Sequence, residues 1–377
     1  MSERLDLSIV IPCLNEVETL GICITKSLSC IEKLSIKGEV IVADNGSTDG
    51  SLEVAKKCGA KVVSIKNKGY GCALLGGIEM SQGKYVIMGD ADNSYDFSVL
   101  DQFYKKLLEG NDLVQGCRFP VGGGKIEKNA MPFSHKYFGN PFLSFVSKLF
   151  FSLPFNDVYC GYRGFNRKKF LELNHFSKGM VFAIENLIKF KISGAKCSEI
   201  PVTLYKDGRK IGKSHLNTIS DGWNTLRFLM VTCPKWLYFF PSFIFLFLSL
   251  ISVYQLTDLV KFKDNLLLSY EVFVPIVYFL LGFQFFMFGL FSSLIAKKLK
   301  MLRSQFINKF FNIFKMRYSF SISLLILLFM LFDFYFINLI KIDLIMKKII
   351  YLFGILFSVL LIINTLFVSL ITIDEQR

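Results

Sequence analysis

The chain has 377 residues, of which 52% are hydrophobic and 15% aromatic, with 41 phenylalanines; this excludes an ordinary one-domain soluble protein. Its formal net charge of +14 requires anionic partners, and phosphorylated substrates, a membrane surface or nucleic acid would each satisfy it. No RNA- or DNA-binding motif accompanies the charge, so nucleic acid is set aside.

The N-terminus has no basic region ahead of a long apolar core, and no cleaved signal is expected. Short runs rich in Val and Ile then predict strands at 7–11, 39–43, 61–65, 85–88 and 112–115. Helical patterns at 16–31, 51–58, 71–80 and 97–108 alternate with them. Farther on, a helix is expected at 182–190 and a strand at 202–205. Such alternation predicts a mostly parallel sheet covered on both faces, with ligands bound beyond the carboxyl ends of its strands. The segment 133–155 mixes aromatic and aliphatic residues with Lys136 and Lys148 and contains Pro141 and Pro154. It reads as a pair of short helices lying in a membrane interface, the alternative being a buried core helix.

From Trp236 onward the character changes. Four apolar stretches, near 236–255, 272–296, 319–340 and 349–373, each reach the roughly 20 residues that cross about 30 Å of hydrocarbon. The second connection carries Lys297, Lys298, Lys300, Arg303, Lys309, Lys315 and Arg317 and no acid, whereas the first has two basic and three acidic residues. By the positive-inside rule that second loop, the N-terminal part and the C-terminus are expected on the cytoplasmic side. The expected organisation is a cytoplasmic domain over 1–232 and a four-helix membrane domain over 233–377. Nine cysteines, with no pair at the spacing of a zinc or redox motif, read as small buried hydrophobes in a reducing compartment.

The polar clusters all fall at predicted strand ends. Gly89-Asp90-Ala91-Asp92 directly follows the strand at 85–88, and two carboxylates one residue apart can serve a hard cation such as Mg²⁺ or Mn²⁺. That cation would neutralise charge growing on a departing diphosphate. Pro12-Cys13-Leu14-Asn15-Glu16 ends the first strand, and Asp44-Asn45-Gly46-Ser47-Thr48-Asp49-Gly50 the second. For Ser47, Thr48 and Gly50 turn and cap roles are expected, while Glu16 and Asp44 can accept hydrogen bonds from a base or ribose. Downstream of the strand at 202–205, Lys206, Arg209, Lys210 and Lys213 make a Gly-containing basic segment suited to a phosphate.

Together PCLNE, DNGSTDGS, NKGYGCALLGG and GDAD resemble the family 2 glycosyltransferases with the GT-A fold. DVYCGYR at 157–163 and RKIGKS at 209–214 resemble their dolichol-phosphate mannose synthase branch, which transfers sugar to polyprenyl phosphate. The resemblance covers residues 7 to about 230. It implies a Rossmann-like, mostly parallel GT-A catalytic domain, here followed by an all-α transmembrane domain. It also implies inverting transfer of a hexose from GDP-mannose or UDP-glucose to dolichyl or undecaprenyl phosphate. The donor nucleotide would be bound by Pro12, Asn15, Glu16, Asp44, Gly71, Asp90, Ala91 and Asp92, with Asp90 and Asp92 holding Mg²⁺ or Mn²⁺. Asp90, Asp92, Asp157 and Arg118 would form the catalytic set, and Arg118, Arg163, Arg209, Lys213 and Ser214 would bind the acceptor phosphate. Some relatives use a Gln two residues beyond the second Asp as a further metal ligand. Ser94 stands there in this chain, and Asp96 is the candidate replacement.

An acceptor phosphate is already ionised, so it needs orientation rather than deprotonation; His135, His175 and His215 form no nucleophile–base pair. Asp157 is read as an organiser of acceptor-side basic groups, with an ion pair to Arg163 as the alternative and Glu185 as a weaker candidate of the same kind. A processive polysaccharide synthase would carry an Arg-Trp dipeptide in its acceptor motif, and none exists here. A dinucleotide oxidoreductase would have its glycines directly after the first strand, where PCLNE stands. A catalytically inactive scaffold is opposed by the intact carboxylate pair. The sequence leaves the oligomeric state open, homo-oligomers included.

Overall fold

The computed structural model describes residues 5–209, 218–260, 273–302, 321, 324–325, 328 and 344–372, and the chain divides into two compact units, Met1–Leu229 and Met230–Arg377. In the first, β1 (Leu7–Cys13), α1 (Leu20–Lys33), β2 (Gly38–Asp44), α2 (Ser51–Lys57), β3 (Lys61–Ser64), α3 (Tyr70–Glu79) and β4 (Tyr85–Met88) follow in strict alternation. Next come α4 (Leu100–Leu108), β5 (Leu113–Cys117), the short β6 (Lys125–Ile126), α5 (Asn140–Phe151), β7 (Arg163–Asn166), α6 (Arg167–Glu172), α7 (Phe182–Ile192), β8 (Cys197–Pro201), β9 (Thr203–Leu204) and α8 (Thr218–Thr232).

Seven strands form one sheet in the order β3-β2-β1-β4-β7-β5-β8, and β6 pairs with β9. All neighbours are parallel except the two pairs made by β7. Helices cover both faces, so the inner strands are buried on both sides and read as unbroken apolar runs: Ile9, Val10, Ile11, Val86, Ile87 and Met88 are fully buried. Strand order reverses between β1 and β4, and a crevice opens beyond the carboxyl ends at such a switch point. Because β7 runs the other way, its first residue, Arg163, stands level with Met88 of β4 and Gln115 of β5. The topology thereby gathers the PCLNE, DNGSTDG, GDAD and 157–163 segments at one sheet edge. The antiparallel β7 was not anticipated, because Arg-Gly-Phe-Asn carries no apolar run.

At 133–155 the structure corrects the expectation of two helices. A π-helical turn, His135–Gly139, passes directly into α5. Pro141 sits in the first turn of α5, where a missing amide hydrogen is tolerated, and Pro154 follows the left-handed Ser152 that ends it. Phe138, Phe142, Phe145 and Leu149, at i, i+4, i+7 and i+11, are exposed, whereas Leu143, Ser144, Val146 and Ser147 are buried.

In the second unit, a π-helical turn (Lys235–Phe239) leads into α9 (Phe240–Val260), followed by α10 (Phe273–Lys298) and α11 (Leu344–Thr372). Two helical spans among the described residues, Lys235–Gln255 and Phe273–Lys298, are long and apolar enough to cross a membrane. The expected span at 319–340 lies almost entirely outside the described residues, as do Arg303, Lys309, Lys315 and Arg317. Ser242 Oγ donates to the Gly282 carbonyl and Ser249 Oγ to that of Pro275, both at 2.8 Å, fixing α9 antiparallel to α10. Gln284 and Asn364 exchange amide hydrogen bonds between α10 and α11. Small residues and polar side chains at helix contacts are how helices associate where apolar burial offers no drive. Phe243, Phe247, Leu250 and Tyr254 form an outward apolar stripe on α9.

Candidate active site

The loops after β1 and β2 are laced together by short polar side chains. Asp44 accepts from the amides of Gly46 and Ser47 at 3.0 Å each, and Asn15 Oδ1 accepts from the Thr48 amide at 2.8 Å. Asp49 accepts from the amides of Val17 and Ser51, and Ser51 Oγ in turn accepts from that of Glu16. Gly50, at φ +90°, leads into α2. The result is a rigid floor on which Glu16 stands, 7% exposed.

Above this floor lies a cavity of about 760 Å³, lined among others by Pro12, Glu16, Asp90, Ala91, Asp92, Arg118 and Arg209. Seven sequence-predicted residues from four segments therefore meet at one place. Asn15, Asp44, Gly71, Asp157 and Arg163 are not among the lining residues. Gly71 instead makes close packing feasible: a Cβ there would run into the Ser177 carbonyl and the Phe182 side chain. Lys213 and Ser214 lie outside the described residues.

Asp90 leaves β4 on the Gly89 turn. Its Oδ1 accepts from the Tyr70 hydroxyl at 3.0 Å, and its Oδ2 faces Gly161, where a Cβ would come within 2.5 Å. Burial and the neighbouring Asp92 carboxylate push Asp90 up to about 6. Asp92 Oδ1 accepts from the Ser94 amide at 3.0 Å, and Oδ2 lies 3.6 Å from Arg209 Nη2. Two carboxylates that line one cavity and repel each other suit a divalent cation, whose charge would relieve that repulsion. Asp96 does not supplement them: its carboxylate caps the Phe97–Val99 turn through Ser98 and pairs with Lys26 at 3.3 Å. Among the described residues no third acidic, thiol or imidazole ligand joins the pair. The remaining coordination positions would fall to phosphate oxygens and water.

The basic groups are distributed differently from the expectation. Arg118 Nε donates to Asp157 Oδ2 at 2.7 Å and Nη2 to Oδ1 at 2.9 Å, while the Arg118 amide also donates to Oδ2. Burial opposes the guanidinium charge, but the Asp157 carboxylate outweighs it and keeps the group protonated above its ordinary range. Asp157, fully buried, thus pairs with Arg118 and not with Arg163. Arg163 cannot reach a phosphate in this structure. It is itself fully buried and donates to the carbonyls of Ala183 (2.7 Å) and Cys160 (3.0 Å) and to Asn186. It bolts α7 to β7, and burial lowers its pKa. Glu185 is likewise structural, accepting from the Phe176 and Ser177 amides and pairing with Lys189 at 2.7 Å. His175 is stacked on Phe170 and pushed down to about 3 by burial.

Arg209 is engaged by acidic side chains of the cleft rather than standing free for an acceptor. Its guanidinium pairs with Glu16 Oε1 at 3.0 Å, with Asp207 and with Asp92. Glu16 is raised to about 7 by burial, an effect that Arg209 partly offsets. Sequence reasoning missed Tyr70, Asn45 and Tyr159 in the cavity wall. All three lie inside motifs already singled out, yet a hydroxyl or amide announces no partner until the chain is folded. Asn45 accepts from the Gly69 amide at 2.7 Å and donates to the Asn67 carbonyl at 2.8 Å, which holds the segment carrying Tyr70.

Comparisons with known proteins bear on this cleft. The Glycosyl transferase family 2 profile matches residues 8–173. The low-salt glycan biosynthesis hexosyltransferase Agl6 of Haloferax volcanii is 35% identical over 238 residues, 63% of this chain and 56% of that protein. The chain thus spans little more than half of that relative's length. Glycosyltransferase AglJ of the same organism is 31% identical over 219 residues, covering 57% of this chain and 67% of AglJ. Among solved structures, glucosyl-3-phosphoglycerate synthase from Mycobacterium tuberculosis, in complex with Mn²⁺, uridine diphosphate and glucosyl-3-phosphoglycerate, aligns with a TM-score of 0.49 at 20% identity, over 61% of this chain and 80% of the synthase. The Rossmann-like α/β unit carrying the carboxylate pair is a GT-A domain, and the chain belongs to glycosyltransferase family 2.

Proposed function

We propose that the protein transfers a hexose from a nucleoside-diphosphate sugar, GDP-mannose or UDP-glucose in type, to a polyprenyl phosphate at the cytoplasmic face of a membrane. The observation that carries this reading is the meeting of Asp90 and Asp92 with Arg118 in one cavity of the first unit. The hexosyltransferase named among its relatives supports the type of sugar.

In this reading the segments bearing Pro12, Asn15, Glu16 and Asp44 and the start of α3 at Gly71 hold the nucleoside, and Asp90 and Asp92 hold Mg²⁺ or Mn²⁺. When bound, that cation supplies charge neutralisation for the diphosphate as it departs. Arg118 presents the acceptor anion, oriented by Asp157, with Lys213 and Ser214 assigned to the same anion. Asp157 spends both carboxylate oxygens on Arg118, so it acts through that guanidinium rather than as a proton acceptor. This suits a nucleophile that is ionised before it arrives. Inversion then requires one in-line displacement, with no covalent sugar–enzyme intermediate.

Anchorage supports the lipid acceptor. Two helices have the length and apolarity of membrane spans, and α5 displays an exposed aromatic stripe flanked by Lys136 and Lys148. We assign α5 to the membrane interface, the apolar helices to a multi-pass anchor, and Lys297, Lys298 and Lys300 to its cytoplasmic side. Holding the cavity at a fixed depth would raise the effective concentration of the lipid phosphate.

The test offers purified full-length enzyme a panel of radiolabelled nucleotide sugars with undecaprenyl or dolichyl phosphate and Mn²⁺ or Mg²⁺. Label extracted into organic solvent as a phosphate-linked hexose supports the proposal. Transfer only to water-soluble hydroxyl acceptors would overturn the acceptor assignment.

A further inference from the structure

One set of contacts in the cleft that the proposed chemistry does not absorb is made by a cation of the protein itself. Four carboxylates, Glu16, Asp90, Asp92 and Asp207, crowd this region, and the Arg209 guanidinium touches three of them. The arrangement is built into the main chain. The Tyr205 amide donates to the Ser94 carbonyl and the Gly208 amide to the Asp92 carbonyl, both at 2.9 Å. Gly208 is packed close to Thr19, where a Cβ would come within 3.0 Å of the methyl group. The segment 205–209 is therefore fastened along the loop that bears the carboxylate pair, and it delivers Arg209 to Asp92 from a fixed direction.

We infer that Arg209 is the counter-cation of the ligand-free cleft: it opposes binding of a divalent cation alone and favours binding of that cation together with a nucleoside diphosphate. This rests on the assignment of Asp90 and Asp92 to a metal. A divalent cation on Asp92 places two positive centres on one carboxylate, so it must displace Arg209 or bind against its repulsion. A diphosphate arriving with the cation offers the guanidinium a new anion that it can grip in a fork. Arg209 thereby makes metal and nucleotide load as a unit. Because such coupling is reciprocal, the metal raises nucleotide affinity by the same factor by which the nucleotide raises metal affinity.

The experiment titrates Mn²⁺ into the full-length protein in detergent, reading free Mn²⁺ by electron paramagnetic resonance, with and without UDP or GDP. Arg209→Ala and Arg209→Gln should bind Mn²⁺ alone about fivefold or more tighter than the wild type, and the enhancement produced by nucleotide should shrink by a similar factor. Arg209→Lys, which keeps the charge, should stay near the wild type. Circular dichroism confirms the fold of each variant. Equal or weaker Mn²⁺ binding by both neutral variants would overturn the inference while leaving the metal assignment standing. Wild-type protein that binds no Mn²⁺ with or without either nucleotide would overturn the assignment, and this inference with it.

Discussion

The Tyr70 hydroxyl donates to Asp90 Oδ1 at 3.0 Å, while Gly161 closes on Oδ2 from the other side, so the Asp90 carboxylate is held in one orientation before any ligand arrives. Tyr70 stands at the start of α3 and Gly161 just before β7, so two separate elements fix this one rotamer. Replacing Tyr70 by Phe keeps the ring and removes the donor. Mn²⁺ affinity in the presence of nucleotide should fall about tenfold, the scale at which partners of metal ligands act. Calorimetric titration checks this, and unchanged affinity would show that Tyr70 does not orient Asp90.

Metal binding should be unusually sensitive to mild acid. Asp90 is raised from 3.8 to about 6 by burial and by Asp92, and its protonated form cannot serve a cation. Mn²⁺ affinity should be flat above about pH 6 and fall roughly tenfold per unit below it. For the free protein the sign is opposite to that of an ordinary salt-bridged carboxylate. The folded state holds this proton more tightly than the unfolded one, so stability declines as pH rises from 3.8 through about 6. Asp90→Asn should therefore abolish transfer, yet make the metal-free protein more heat-resistant at pH 8 and no more so at pH 3. Thermal scans at the two pH values decide this.

Asp157 carries a structural duty larger than any surface ion pair. Removing it leaves the Arg118 guanidinium buried without its partner, which costs about 3–5 kcal/mol in comparable sites. Asp157→Ala should unfold at markedly lower denaturant concentration, whereas the double variant Arg118→Leu/Asp157→Leu should recover much of that loss while lacking activity. Additive losses in the double-mutant cycle would argue against direct coupling.

The α5 stripe gives a topological prediction. A tryptophan replacing Phe142, in a background with Trp223 and Trp236 changed to Phe, should be quenched by lipids brominated on their acyl chains. Phe142→Ser/Phe145→Ser should raise KM for the lipid acceptor several-fold and leave KM for the nucleotide sugar nearly unchanged. Equal rises in both would place α5 outside acceptor handling.

Much of the first unit was legible because its signals are local. The run at 85–88 is a strand at those positions because four consecutive apolar residues suit a site buried on both faces. Motifs following such strands had to emerge at their carboxyl ends, which is why Asp90, Asp92, Glu16 and Arg118 could be nominated together. The reading of Arg163 failed for an equally physical reason. An arginine beside Gly-Tyr looks the same in sequence whether it faces phosphate or the carbonyls of Ala183 and Cys160. The expectation of two helices at 133–155 failed because Pro141 suggests a break in the sequence, whereas it sits in a helix's first turn.

What the sequence by itself determined is the alternation of strands and helices, the carboxylate pair and the apolar helices, since these follow from periodicity, turn chemistry and hydrophobicity over a few residues. Only the tertiary structure decided which charges answer which: Arg118 to Asp157, Arg209 to Glu16 and Asp92, and Arg163 to backbone carbonyls and to no acid among the described residues. Coulomb attraction and desolvation depend on distances between residues far apart in the chain, and those distances exist only once the sheet has brought the loops together.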